Sequence, residues 1–129
     1  MIKYLTADQV IKFHNELLDK FGGLQGIRDE NLLHSALEAP KMSFGGEEMY
    51  PSVFEKAAAY LYHLAKNHPF YDGNKRTAYV ATLAFLKVNH APIRFPIEDL
   101  EQVVVDVADG KMDKEKLIQF FKGPILGNS

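Results

Sequence analysis

The chain has 129 residues, no cysteine, 47% hydrophobic and 25% charged side chains, and 15 Lys plus Arg against 17 Asp plus Glu, a formal net charge of −2. That length fits one domain, 1–129, with a real hydrophobic core. The missing Cys excludes disulfides, thiolate catalysis and Cys-based zinc sites and fits a reducing cytoplasm, while the faintly acidic balance excludes a global attraction to nucleic acid or anionic lipid.

Helical periodicity recurs along the chain, so the expected fold is all-α with about six helices. The first runs from Thr6 to Phe21, with Thr6 and Gln9 at capping-box spacing and Val10, Phe13, Leu17 and Phe21 as its apolar stripe. Gly22-Gly23 stops it. A loop from Leu24 to Arg28 leads to a short helix from Asp29, burying Leu32, Leu33, Ala36 and Leu37 and ended by Pro40. Residues 41–51 form a connector around Gly45-Gly46. Ser52 and Glu55 open a long helix to about Asn67, in which Ala57 to Tyr62 leave little polar surface.

A further helix starts near Gly73 or Asn74 and ends near Asn89; Ala78 to Leu86 are apolar almost all round and belong in the core. The stretch 91–96, held by two prolines, is extended and suits a short strand. Apolar residues at 97, 100, 104 and 107 give helical spacing, although Val103-Val104-Val105 also suits a strand. Gly110 ends that element. Asp113 caps a last helix through Phe121, closed by Gly123-Pro124. No apolar run approaches the ~18 residues of a membrane span, and the N-terminus lacks the apolar core of a signal peptide.

The chemistry concentrates in His68-Pro69-Phe70-Tyr71-Asp72-Gly73-Asn74-Lys75-Arg76-Thr77. A helix N-terminus carries unpaired N–H groups and a partial positive charge, which favour Asp or Glu there. This sequence instead places Lys75 and Arg76 in the first turn. Two cations at a positive helix end make sense when an anion such as a polyphosphate sits between them. Gly73 lets the backbone come close, and Asn74 offers an amide donor to a phosphate oxygen. Asp72, beside the anion, suits Mg²⁺, which binds carboxylate and phosphate oxygens together. His68, ahead of Pro69, offers a neutral imidazole that takes a proton from an attacking hydroxyl. Phe70 points inward and pins the loop. The pattern is neither a Walker loop nor a kinase Gly-rich loop.

Residues His68 to Thr77 resemble the signature His-Pro-Phe-x-x-Asp-Gly-Asn-x-Arg of the Fic/Doc superfamily. The order of elements and the Asn74-Lys75-Arg76-Thr77 variant are similar to the small death-on-curing (Doc) toxins over essentially the whole chain. The resemblance implies an all-α bundle with this loop between two central helices. It also implies His68 as base, Asp72 as Mg²⁺ ligand, and Gly73, Asn74, Lys75 and Arg76 as the phosphate site. Fic adenylyltransferases have Gly where Lys75 stands and a second Arg where Tyr79 stands; they transfer AMP. Doc-like toxins resemble this chain more closely at Lys75 and transfer the γ-phosphate of ATP. The implied function is a cytoplasmic protein kinase acting on elongation factor Tu and arresting translation, neutralised by a prevent-host-death type antitoxin. AMP transfer by the same residues is the alternative, and a helical binding module with a decayed loop is the non-enzymatic one. The family also implies that 41–51 forms a flap that aligns the target peptide.

Each site residue has a plain structural alternative: a helix-ending His68, an Asp72-Gly73 turn, solvated Lys75 and Arg76. At these spacings together, the chemical reading is favoured. His14, His34, His63 and His90 show no metal-ligand spacing and read as structural or surface groups. Tyr60 and Tyr62 read as core and rim.

Overall fold

The computed structural model describes residues 1–124; the last five residues of the expected 1–129 domain lie outside the described residues. Six α-helices form: α1 Ala7–Phe21, α2 Glu30–Glu38, α3 Val53–Asn67, α4 Asn74–Val88, α5 Leu100–Ala108 and α6 Lys114–Lys122. The expected caps are in place. Thr6 and Gln9 close a full capping box on α1, and Asp29, Ser52 and Asp113 accept from the first turns of α2, α3 and α6. Each such cap contributes about 1 kcal/mol.

Helix α3 is the hub, packed by α2, α4, α5 and α6. Ala57, Ala58, Ala59 and Ala65 on α3 and Ala78 and Ala81 on α4 are fully buried. These small side chains let the two helix backbones approach closely, so a six-residue loop suffices to join them. Phe85, Leu86, Leu100, Val107, Leu117 and Phe121 complete the core. Tyr60 lies wholly inside, its hydroxyl accepting from the Leu5 N–H at 3.0 Å, and burial pushes its pKa up to about 12.

Three expectations change. The buried face of α1 is Val10, His14 and Leu18; Phe13 and Leu17 are half-buried and Phe21 is exposed. Leu32 of α2 is also only half-buried. The stretch 91–96 forms no strand; Phe95 anchors it against Phe120 and Phe121 instead. Helix α2 does end ahead of Pro40, which sits in a following 3₁₀ turn, Ala39–Lys41, at a position where no N–H is needed.

The 41–51 connector contains a small antiparallel hairpin, β1 Ser43–Phe44 and β2 Glu47–Glu48, turning at Gly45 and Gly46. Their φ values of 59° and 84° match the type I′ turn that suits the strand twist. Lys56 of α3, 1% exposed, anchors this hairpin by donating to Glu48 Oε1 at 2.9 Å and to the Tyr50 carbonyl. Lys114 of α6 continues the ladder, donating to the Tyr50 hydroxyl at 2.8 Å and to His63 Nε2 at 3.1 Å.

His63 must therefore stay neutral at Nε2. Burial, and then the Lys114 ammonium, push its pKa down to about 4. The unfolded chain, with His near 6.5, binds more protons across this window, so the contribution is full above pH ~6.5 and lost as pH falls toward ~4. After allowance for screening of a partly exposed ring, it amounts to about 1–2 kcal/mol. Chemical denaturation from pH 7 to 4 should show stability falling, and His63→Gln should flatten that slope.

Candidate active site

The loop between α3 and α4 begins and ends in the left-handed region. His68 caps α3 with φ 49° and ψ 57°, and Gly73 precedes α4 with φ 77°. For a non-glycine residue that backbone costs about 1–3 kcal/mol and persists only when its surroundings hold it. Three sets of contacts do so.

Phe70 is 1% exposed and stacks on the His14 ring of α1, centroids 3.8 Å apart and planes 9° from parallel. His14 Nε2 lies 2.8 Å from the Asp72 carbonyl. A carbonyl only accepts, so the proton sits on Nε2. Asn74 turns its amide back onto the loop: Oδ1 accepts from the Phe70 N–H at 3.0 Å, and Nδ2 donates to the Phe70 carbonyl at 2.9 Å. The side chain expected to face a phosphate is thus a clasp on the loop. The Leu24 N–H donates to Asp72 Oδ2 at 2.7 Å, fixing the carboxylate.

Segment 22–29 forms the third support. Gly26 and Ile27 run antiparallel to Phe70 and Tyr71, and Arg28 lies against the end of α3. Gly23 does more than stop a helix. A Cβ there would lie 3.0 Å from Leu18 Cδ2 and 3.2 Å from Asp72 Cβ, on a backbone with φ +127°. Its bareness lets the segment reach the Asp72 carboxylate.

The start of α4 differs from its neighbours. It has no side-chain cap and no acid in its first turn. Lys75 and Arg76 project there, and neither makes an ion pair among the described residues. The Arg76 guanidinium carbon lies 4.3 Å from the centroid of the exposed Phe21 ring, a cation–π contact. These cations, His68, Asp72, Gly73 and Asn74 line one cleft of about 870 Å³. Its other walls come from Leu17, Tyr79, Val80 and the α5 residues Glu101, Val104 and Val105. Every residue expected at the site lines this cleft, but Asn74 does so with its amide turned onto the loop. His14, Gly23 and Arg28 were not expected, because they lie 39 to 58 residues away in sequence from their partners and only pairing in the fold connects them.

Among the described residues, no cluster of three His, Asp or Glu could form a metal site from protein alone. Asp72 is exposed and uses one oxygen on Leu24. Its other oxygen fits a hard cation that keeps its waters and shares phosphate oxygens, as Mg²⁺ does.

A bare, cation-flanked helix N-terminus beside a histidine has the form of an anion site on a helical group-transfer scaffold. A family model described as the Fic/DOC family matches residues 4–86, which include α1 and the whole loop. The chain is 37% identical over 119 residues to "Toxin Doc" of Mycolicibacterium smegmatis, covering 91% of this chain and 89% of that protein. It is 29% identical over 111 residues to "Protein kinase doc" of Escherichia phage P1, covering 86% of each. The chain belongs to the Fic/DOC family, and within it to the Doc toxin type.

Gly23→Ala should cost about 1–3 kcal/mol through the strained backbone and the contact with Asp72. Denaturant melts, together with loss of exchange protection at the Leu24 amide, would show it; an unchanged Leu24 amide would contradict this role for Gly23.

Proposed function

We propose that the chain is the toxin of a toxin–antitoxin pair and a protein kinase that transfers the γ-phosphate of ATP to a hydroxyl of elongation factor Tu, arresting translation. The observation that carries this reading is the uncapped start of α4, flanked by Lys75 and Arg76, in the same cleft as His68. The name of the phage relative, a protein kinase, supports the direction of transfer.

In this reading the polyphosphate lies on the α4 N–H groups, with Gly73 allowing close approach and Lys75 and Arg76 neutralising its charge. Lys75 and Arg76 stand at the helix start, with Lys20 also on the cleft, while the α5 side presents Val104, Val105 and the acidic Glu101, which repels phosphate. The most highly charged end of the nucleotide, the γ-phosphate, is therefore favoured next to His68. His68 takes the proton of the target hydroxyl as its oxygen bonds to phosphorus, and the bond to the β-phosphate oxygen breaks to release ADP. Asp72 would hold Mg²⁺, which when bound neutralises charge on the phosphates. The antitoxin partner would be of the prevent-host-death type.

Purified protein with Mg²⁺, elongation factor Tu and ATP labelled at the α- or γ-phosphate tests this directly. Label from the γ-position alone is expected. Label from the α-position would make the chain an AMP transferase. His68→Ala should lower transfer by roughly 10²–10⁴-fold while the melting temperature holds, and retained activity would remove His68 as base.

The hairpin gives a separable test. Its anchor, Lys56, lies twelve residues before His68, about 18 Å along α3, and no hairpin residue lines the cleft. Exposed Phe44 and Met49 are free to meet a protein target. Lys56→Met should cost about 1–3 kcal/mol and raise the KM for elongation factor Tu, with Mg-ATP affinity unchanged by calorimetry; equal loss of both would remove the hairpin from target binding.

A further inference from the structure

Arg28 is the residue through which the fold controls the backbone of His68. Its Nε donates to the His68 carbonyl at 2.8 Å and its Nη2 to the Asn67 carbonyl at 3.0 Å. Its own backbone N–H donates to the Pro69 carbonyl at 2.7 Å, where the Asp29 N–H adds a second bond at 3.1 Å. One residue thus grips three successive carbonyls. The last carbonyls of a helix have no partner within it, and a cation there also meets the negative end of the helix dipole. What makes the grip consequential is the conformation it holds. His68 is in the left-handed region, where a Cβ crowds the following carbonyl oxygen at an energetic cost.

We infer that Arg28 is a positioning residue for the transfer step, holding His68 in the left-handed conformation that aims its imidazole into the cleft. This rests on His68 being the base. Arg28 does not line the cleft, so it acts through the backbone of Asn67, His68 and Pro69. The planar guanidinium matters because its fork reaches two carbonyls at once, while a lysine ammonium on a flexible stem fixes only one geometry poorly.

The test compares wild type, Arg28→Ala and Arg28→Lys in three measurements. NMR of the His68 amide and carbonyl shifts reports its backbone state without any need for activity. Single-turnover transfer from Mg-ATP to elongation factor Tu gives the rate. Calorimetry with Mg-ATP gives nucleotide affinity. For Arg28→Ala the expected result is a shift of the His68 signals away from the left-handed position and a fall in rate of about 10–100-fold, since small misplacement of a reacting group costs that much. Nucleotide affinity should stay within about twofold of wild type on the same reasoning. Arg28→Lys should lie between the two. Unmoved His68 signals, a rate within about twofold of wild type, or a parallel loss of rate, affinity and melting temperature would each overturn the inference. Should wild type itself transfer nothing to elongation factor Tu, that target fails, and the His68 signals alone decide the role of Arg28.

Discussion

The stack of Phe70 on His14 is the contact on which the site depends. A six-residue loop with a left-handed residue at each end has no regular structure of its own to hold it. Phe70 is driven inward while Tyr71 stays exposed, and a buried phenylalanine contributes about 1.5–3 kcal/mol. The ring lands on an imidazole of α1 that also donates to the Asp72 carbonyl, so one histidine fixes both the middle and the end of the loop. Asn74 then locks the Phe70 backbone from the α4 side. The loop is thereby part of the core, although its working side chains face the cleft.

The fold gives up stability at this site and recovers it elsewhere. The start of α4 forgoes a cap, worth about 1 kcal/mol. Two cations face its positive end, each unfavourable by a few tenths of a kcal/mol, and His68 carries backbone strain. Helices α1, α2, α3 and α6 have the caps that α4 lacks, and the alanine-lined contact between α3 and α4 keeps both ends of the loop in register. A helix terminus optimised for stability would have an acid where Lys75 stands.

Local grammar carried most of the fold in the sequence: the caps at Thr6, Asp29, Ser52 and Asp113, and the all-round apolar α4. It failed where function overrides pattern. On α1 the stripe through Phe13, Leu17 and Phe21 is the more hydrophobic choice, yet the buried line runs through His14, because that position faces Phe70. Phe21 is turned out, where its ring meets Arg76. The six residues expected at the site, His68 and Asp72 to Arg76, could be named together because they fall within one stretch of nine residues, and that stretch lines a single cleft. Their supports were not legible, since Gly23 reads as a helix stop and Arg28 as the end of a loop until the chain folds back. Residues 41–51 read as a connector or flap rather than as two strands, because with only two residues in each strand there is no alternation to mark them.

Lys75 and Arg76 are adjacent in sequence and unlike in constraint. Arg76 has its guanidinium over the Phe21 ring, a contact that favours one placement of the side chain. Lys75 is exposed, with no ring or carboxylate partner among the described residues. One cation therefore sits on a ring and the other has no side-chain partner among the described residues. In the proposed transfer the ring-stacked guanidinium would meet the part of the polyphosphate that stays in place, and the ammonium the group that is transferred. Exchanging the two residues would preserve net charge and composition while moving the planar, ring-stacked donor to the other position.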